Sequence, residues 1–247
     1  MHHLLDWHQR LGRLGLRLLY LHLLWVAWTL RGGIIAGIFP AIAALHGVLR
    51  DDIRHVLHYP GEPLGLDRAG RRAVRTRFAG LWRTEFGPAN RLGAVLTVAW
   101  ALVIVDRIVV GTLDLGGLGP VLAGGLTVAG AMLGVLTVLV WPLQAHFDDG
   151  AFALLRRSAV LVGGRPAAAA LAGLGVGVIL CAYYVIPGLI PVLGVAAPAA
   201  LATSALWRTG VLAAPPSTPD AGTTTHGKDR IDPSDRSERT GRTLQHA

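Results

Sequence analysis

The sequence holds a single cysteine, Cys181, and a single lysine, Lys228, among its 247 residues. One cysteine excludes a disulfide framework and any cysteine-built metal site. Charge is scarce too, at 15% of residues, against ~25% in ordinary soluble domains. No Walker A, Gly-x-Ser-x-Gly or His-Glu-x-x-His pattern occurs, so the common signatures of phosphate cradles, serine hydrolases and zinc peptidases are missing. What the chain has instead is apolar length: 52% hydrophobic residues and a mean hydropathy of +0.50, which point to a membrane protein. The net charge of +8 comes from arginines banded between apolar runs. Such banding records membrane orientation rather than a nucleic-acid-binding face.

The organising stretch is Arg31 to Arg50, an apolar run framed by arginines, opened by Gly32-Gly33 and crossed by Pro40. It follows a second apolar run, Leu18 to Leu30, almost without a spacer. As one helix the two runs would span about 48 Å, against a hydrocarbon core of ~30 Å. Two short crossings, 14–30 and 33–49, with a turn at the glycine pair, fit better. Before them, residues 1–17 place Leu4, Trp7, Leu11 and Leu14 on one stripe, an amphipathic segment on the membrane surface. A secretory signal peptide is the rival reading, although Arg31 would interrupt it.

The loop of residues 50–92 carries nine arginines against five acids, and the positive-inside rule places it in the cytoplasm with the N-terminus. Both can lie inside only if the chain crosses twice between them. Within this loop Val74, Phe78, Leu81, Trp82 and Phe86 form a helical stripe among arginines, a basic amphipathic helix. Further crossings follow at 93–112, 119–143, 166–186 and 189–207. Between the fourth and fifth, Ala151, Phe152, Leu155, Ala159 and Val162 share the face of a second surface helix. The expectation is therefore an all-α membrane protein of six transmembrane helices in three hairpins over 14–207. Two cytoplasmic amphipathic helices and a disordered tail over 208–247 complete it. Both termini would lie on the cytoplasmic side of a bacterial plasma membrane.

Three segments, GGIIAGIFPAIAALHGVLR, RFAGLWRTEFGPANRLGAVL and PLQAHFDDGAFALLRRSAVLVGGRPAAAAL, resemble in order and spacing the YesL-like family of bacterial membrane proteins of unknown function. The matching features are the glycines ahead of a Pro-Ala-x-x-Ala-Leu helix ending in Arg50, the element from Trp82 to Asn90, and the element from Pro142 to Asp148. The resemblance implies a link to carbohydrate import, because members are typically encoded beside ATP-driven sugar transporters. It brings no catalytic residues.

Gly33, Gly37, Pro40, Ala41 and Ala44 lie at helical steps on one face. That pattern serves close helix packing, and a partner groove is the sharper alternative. Asp106-Arg107 is the charged pair deepest in an apolar run, either bordering a solute pathway or snorkelling outward. Arg71, Arg75, Phe78, Trp82, Phe86, Phe152 and Arg156 are the candidate surface for anionic lipid or a partner protein. His46, His55 and His58 beside Asp51 and Asp52 lack a metal-ligand spacing, so neither a metal nor a cofactor is expected. The leading expectation is a non-enzymatic accessory or regulatory protein in the bilayer, partnering a sugar-transport permease or another membrane protein rather than nucleic acid. A small solute transporter or channel is the alternative.

Overall fold

The computed structural model describes residues 2–59, 62, 64 and 66–210, and all regular structure among them is helical. The expected tail lies, beyond Gly210, outside the described residues, as do the side chains of Leu4 and Trp7 in the N-terminal stripe. Helix α1 runs His2–Arg31, so the amphipathic segment and the first apolar run are one helix. Helix α2 covers Ile35–His58 and continues past Arg50. Helices α3, Arg68–Thr84, and α4, Phe86–Thr112, are divided by Glu85 alone. Helix α5 is Leu118–Gln144, α6 is Ala151–Gly164 and α7 is Pro166–Val185. A single 3₁₀ turn at Pro187–Leu189 leads into the short α8, Ile190–Leu193, and then α9, Ala196–Arg208.

Helix boundaries follow local chemistry. Asp67 caps α3, its carboxylate accepting from the Gly70 amide at 2.9 Å. Pro166 opens α7, where its missing N–H costs nothing. The turn between α1 and α2 takes Gly33 at φ +73° and then Ile34 at φ +64°, ψ −70°, with the Ile35 amide donating to the Gly33 carbonyl at 2.8 Å. That is a γ-turn centred on a β-branched residue, an uncommon and strained arrangement. The turn is tight enough that a Cβ added at Gly32 or Gly37 would collide with backbone across it.

Helices α4, α5 and α7 are each long and apolar enough to cross a membrane, and the pair from Pro187 to Arg208 makes a fourth if counted as one span. That pair is bent by 70°, at Gly194 and Val195, inside the expected crossing 189–207. Among the described residues the set does not include α1 or α2. Arg17, His22 and Arg31 interrupt α1, and α2 meets Arg50, Asp51 and Asp52 within eighteen residues of its start.

Side-chain contacts identify one common end of the bundle. Gln144 at the end of α5 donates to Glu85 at the start of α4 at 2.9 Å. Arg165 before α7 donates to the Thr209 carbonyl after α9 at 2.9 Å. This basic end is where α2 packs. Ala36 meets Asn90, Phe39 lies on Gly93 and stacks with Trp141 at 6.0 Å, Arg50 donates to the Ala145 carbonyl, and the Arg54 guanidinium sits 6.0 Å from the Trp207 ring. Both ends of α2 thus touch the same end of the bundle. The helix crosses the bases of α4, α5 and α9 instead of following their length.

Two apolar cores result. One holds Leu92, Leu139, Val140, Leu154 and Leu206 around the helix bases. The other joins Leu21 and Leu24 of α1, Leu45 and Val48 of α2 and Phe78 of α3. The expected stripe of α3 therefore faces its own chain: Phe78 is fully buried and Val74, Leu81 and Trp82 pack beside it. Helix α6 buries Leu154 and Ser158, packs Ala151, Leu155 and Val162 of the expected stripe against the first core and leaves Phe152 and Ala159 exposed, so its inward face is turned by less than one residue step, ~100°, from the stripe read in the sequence.

Candidate functional site

Polar chemistry concentrates at the basic end. Arg17 of α1 grips Asp52 of α2 with two hydrogen bonds, Nε to Oδ2 at 2.9 Å and Nη2 to Oδ1 at 2.6 Å. Their side chains are only 5% and 14% exposed. Burial pushes the Asp52 carboxyl above the usual carboxylate range, although the Arg17 hydrogen bond and charge pull the other way. Next along α2, Asp51 receives Arg77 Nε at 2.8 Å and lies 3.4 Å from Arg50 Nη2. These pairs tie α1 and α3 to the last turns of α2. Beyond them the His146 ring meets Phe147 and Trp207 edge-on at 4.9 and 5.7 Å. Desolvation, then the Arg54 and Arg50 charges, hold His146 below the ordinary histidine value.

Between α2, α5, α7 and α9 lies an open cavity of about 190 Å³ whose lining includes His46, Thr137, Trp141, Val195 and Ala202. His46 Nδ1 is 2.9 Å from the Thr203 hydroxyl, which also lies 2.8 Å from the Ala199 carbonyl. A carbonyl only accepts, so the single hydroxyl proton goes to Ala199 and Nδ1–H must donate to Thr203. The imidazole is thereby fixed with Nε2 as a free acceptor. The cavity borders the bend before α9, and broken helices with loosened backbone are a recurring wall of solute sites.

Pro40 has an identifiable counterpart. Lacking an N–H, it leaves the Ala36 carbonyl without its helical donor, and Asn90 Nδ2 fills the gap at 3.0 Å while also reaching the Phe86 carbonyl at 2.8 Å. The proline in one resembling segment and the asparagine in another are thus a single hydrogen-bonded unit.

The seam residues Gly37, Pro40, Ala41 and Ala44 are buried on α2, whereas Gly33 is exposed in the turn. Asp106 and Arg107 are exposed on α4, Arg107 Nη1 reaching the Thr127 hydroxyl of α5 at 3.0 Å, and neither lines the His46 cavity. Arg71 and Arg75 point outward, Trp82 is half-buried against Trp28 and Phe86, and Phe152 and Arg156 are exposed on α6. His55 and His58 stay apart from His46: His55 lies 3.8 Å from Glu62, and His58 Nδ1 is 2.8 Å from the Arg54 carbonyl. Among the described residues no three metal-ligating side chains come together. Sequence reasoning passed over Arg17, Asp52 as its partner, and the His46–Thr203 pair. The available signal was a polar residue whose helical neighbours are mostly small or apolar, as His46 is beside Ile42, Ala43 and Leu49.

The fold and this polar end define a multi-pass helical membrane protein. A family model described as "Protein of unknown function, DUF624" matches residues 18–60, which span the α1–α2 turn, His46 and Asp52. The uncharacterized protein YesL of Bacillus subtilis (strain 168) is 25% identical over 166 residues, 67% of this chain and 71% of that protein. The uncharacterized protein YteU of the same organism is 29% identical over 133 residues, 54% of this chain and 53% of that protein. No solved structure matches the chain. These matches support the resemblance to the YesL-like family of unknown function.

Proposed function

We propose that the protein is an accessory or regulatory membrane subunit that acts by binding another membrane protein, with the α4–α5 hairpin as the docking element. The observation that carries this reading is the exposure of that hairpin away from the basic end. Val98, Leu102, Ile108, Val121 and Val128 are 60 to 70% exposed. Nothing lies within 4 Å of a Cβ added at Gly124 or Gly125, so a partner helix can approach the α5 backbone closely there. The resemblance implies a link to carbohydrate import, and the partner class proposed on it is a permease of a sugar-import system. In detergent the protein co-purifies with such a permease, and Gly124→Leu with Gly125→Leu abolishes the association while the protein stays monodisperse. A protein that remains alone under crosslinking refutes the reading.

The membrane arrangement is part of the proposal. The contacts of α2 favour four crossings, by α4, α5, α7 and the bent α8–α9 pair, with α1 to α3 forming a layer against their cytoplasmic bases in a bacterial plasma membrane. Both termini lie in the cytoplasm in this arrangement, as they do with six crossings, so the loop arginines are satisfied either way. The two differ at the α1–α2 turn, which six crossings place outside. In a Cys181→Ser background, Ile34→Cys is shielded from an impermeant thiol reagent added outside the cell; labelling from outside restores the six-crossing arrangement.

A solute transporter is the second reading, favoured by the His46 cavity beside the bent helix. It predicts solute flux in reconstituted liposomes that His46→Phe abolishes. Liposomes inert to a panel of sugars and ions remove it.

A further inference from the structure

Helix α6 is amphiphilic on its outer side. Phe152 is 84% exposed and Val160 67% exposed, and Arg156 lies on the same helix face one turn from each. Where α6 meets the end of α5, an open groove of about 490 Å³ is lined by Leu143, Phe147, Arg156, Arg157, Val160 and Leu161. This size lies within the ordinary range of small-ligand sites, ~300–1,000 Å³. Its polar wall is arginine and the rest is apolar.

The two arginines are held differently. Arg157 is positioned by Asp149, Nε to Oδ2 at 2.7 Å, and by the Phe147 ring, whose centroid is 4.5 Å from the guanidinium carbon. Arg156 is exposed, and no carboxylate lies within ion-pair distance of it among the described residues. Of the two guanidinium groups that line the groove, Arg157 is ion-paired and Arg156 is not. It sits at the C-terminal end of α5, a helix long and apolar enough to cross a membrane.

We propose that this groove binds one molecule of a singly charged anionic glycerophospholipid. Its phosphodiester is received by Arg156, with Arg157 as second donor, and an acyl chain lies along Val160, Leu161 and Leu143. The one unpaired guanidinium matches a headgroup with one negative charge, and the apolar wall requires a lipid rather than a free phosphate. Guanidinium is suited to this, because it presents a planar set of donors to phosphate oxygens. The exposed Phe152 and Val160 keep the helix seated in the interfacial layer beside the bound lipid. The site is independent of the docking hairpin on α4 and α5.

The test is lipid retention by the detergent-purified full-length protein, followed by native mass spectrometry with phosphatidylglycerol, phosphatidylcholine and inorganic phosphate as probes. Phosphatidylglycerol is retained in preference to phosphatidylcholine, at one tightly held molecule per chain, and inorganic phosphate does not displace it. Arg156→Gln, at an exposed side chain, lowers its affinity about fivefold, the weight of one basic group near an anionic headgroup. Arg72→Gln, at another exposed arginine on α3, leaves it unchanged. Equal retention of both lipids, displacement by inorganic phosphate, or equal loss in the Arg72→Gln and Arg156→Gln variants overturns the assignment. The last result would mean that the whole basic surface, and not this groove, attracts the lipid.

Discussion

The Arg17–Asp52 pair allows a quantitative test of how the α1–α2 hairpin is held. Two opposite charges about 4 Å apart attract by ~4 kcal/mol at an effective dielectric of about 20. Against this stands the desolvation of two ions, several kcal/mol each, and side chains 5% and 14% exposed carry most of that cost. The raised Asp52 value indicates that desolvation outweighs the attraction of Arg17. The pair should therefore add little net stability, while loss of either partner is expensive because the other is left buried and unpaired. Arg17→Met or Asp52→Leu alone is expected to destabilise by about 3–5 kcal/mol. The double variant Arg17→Met with Asp52→Leu costs less than either, about 1 kcal/mol or below, because no buried charge remains. Thermal or denaturant unfolding in detergent, read by tryptophan fluorescence, measures all three. The pH dependence has a definite sign. With its folded value raised, Asp52 binds protons more readily in the fold than in the unfolded chain, so its contribution falls as pH rises from ~3.9 through the raised value. Asp52→Asn removes that downward slope. Single variants that each cost under ~1 kcal/mol, or a double variant costing the sum of the two, refute the reasoning.

Two further outcomes follow from backbone chemistry. Asn90→Leu withdraws the donor from the Ala36 carbonyl and is expected to cost about 1–2 kcal/mol; in a Pro40→Ala background, where position 40 supplies its own helical N–H, the same substitution costs clearly less, and equal costs in both backgrounds in a double-mutant cycle would disprove the Pro40–Asn90 unit. Ile34→Gly relieves the γ-turn at a side chain that is 58% exposed and is expected to stabilise by about 1 kcal/mol, the strain relieved less the glycine's entropy; a lower midpoint of thermal unfolding would count against strain at the turn.

Helix ends were largely legible because they are written in local chemistry. The glycine pair at 32 and 33, Pro166 and the link at Pro187-Gly188 each mark a boundary that the structure also has. Orientation was less legible. In a membrane protein the lipid-facing and core-facing sides of a helix are both apolar, so a stripe such as Val74, Phe78 and Leu81 does not say whether it meets lipid or its own chain. The same ambiguity hid the rotation of α6. It also left the course of α2 unread, since the residues that set it act from a distance: Asn90, Trp141, Ala145 and Trp207. The bend at Gly194 escaped notice because Val192 to Val195 reads as one apolar run. At the site, Asp106 and Arg107 stood out by charge, yet the more enclosed chemistry lies at His46, whose polarity is muted in any hydropathy scan.

The junction of His22 with Gly194 has a consequence for biosynthesis. Gly194 adopts φ +35°, and the His22 ring occupies the space where any other residue's Cβ would stand. His46 likewise awaits Thr203, 157 residues later in the chain. At roughly 5–20 residues per second, α2 is complete some 8–30 s before α9 leaves the ribosome. During that interval the first helices to be made have neither of these late partners. The N-terminal hairpin is therefore a structure left open until α9 closes it, and a chain arrested before Ile190 would expose the polar residues that a quality-control protease can recognise.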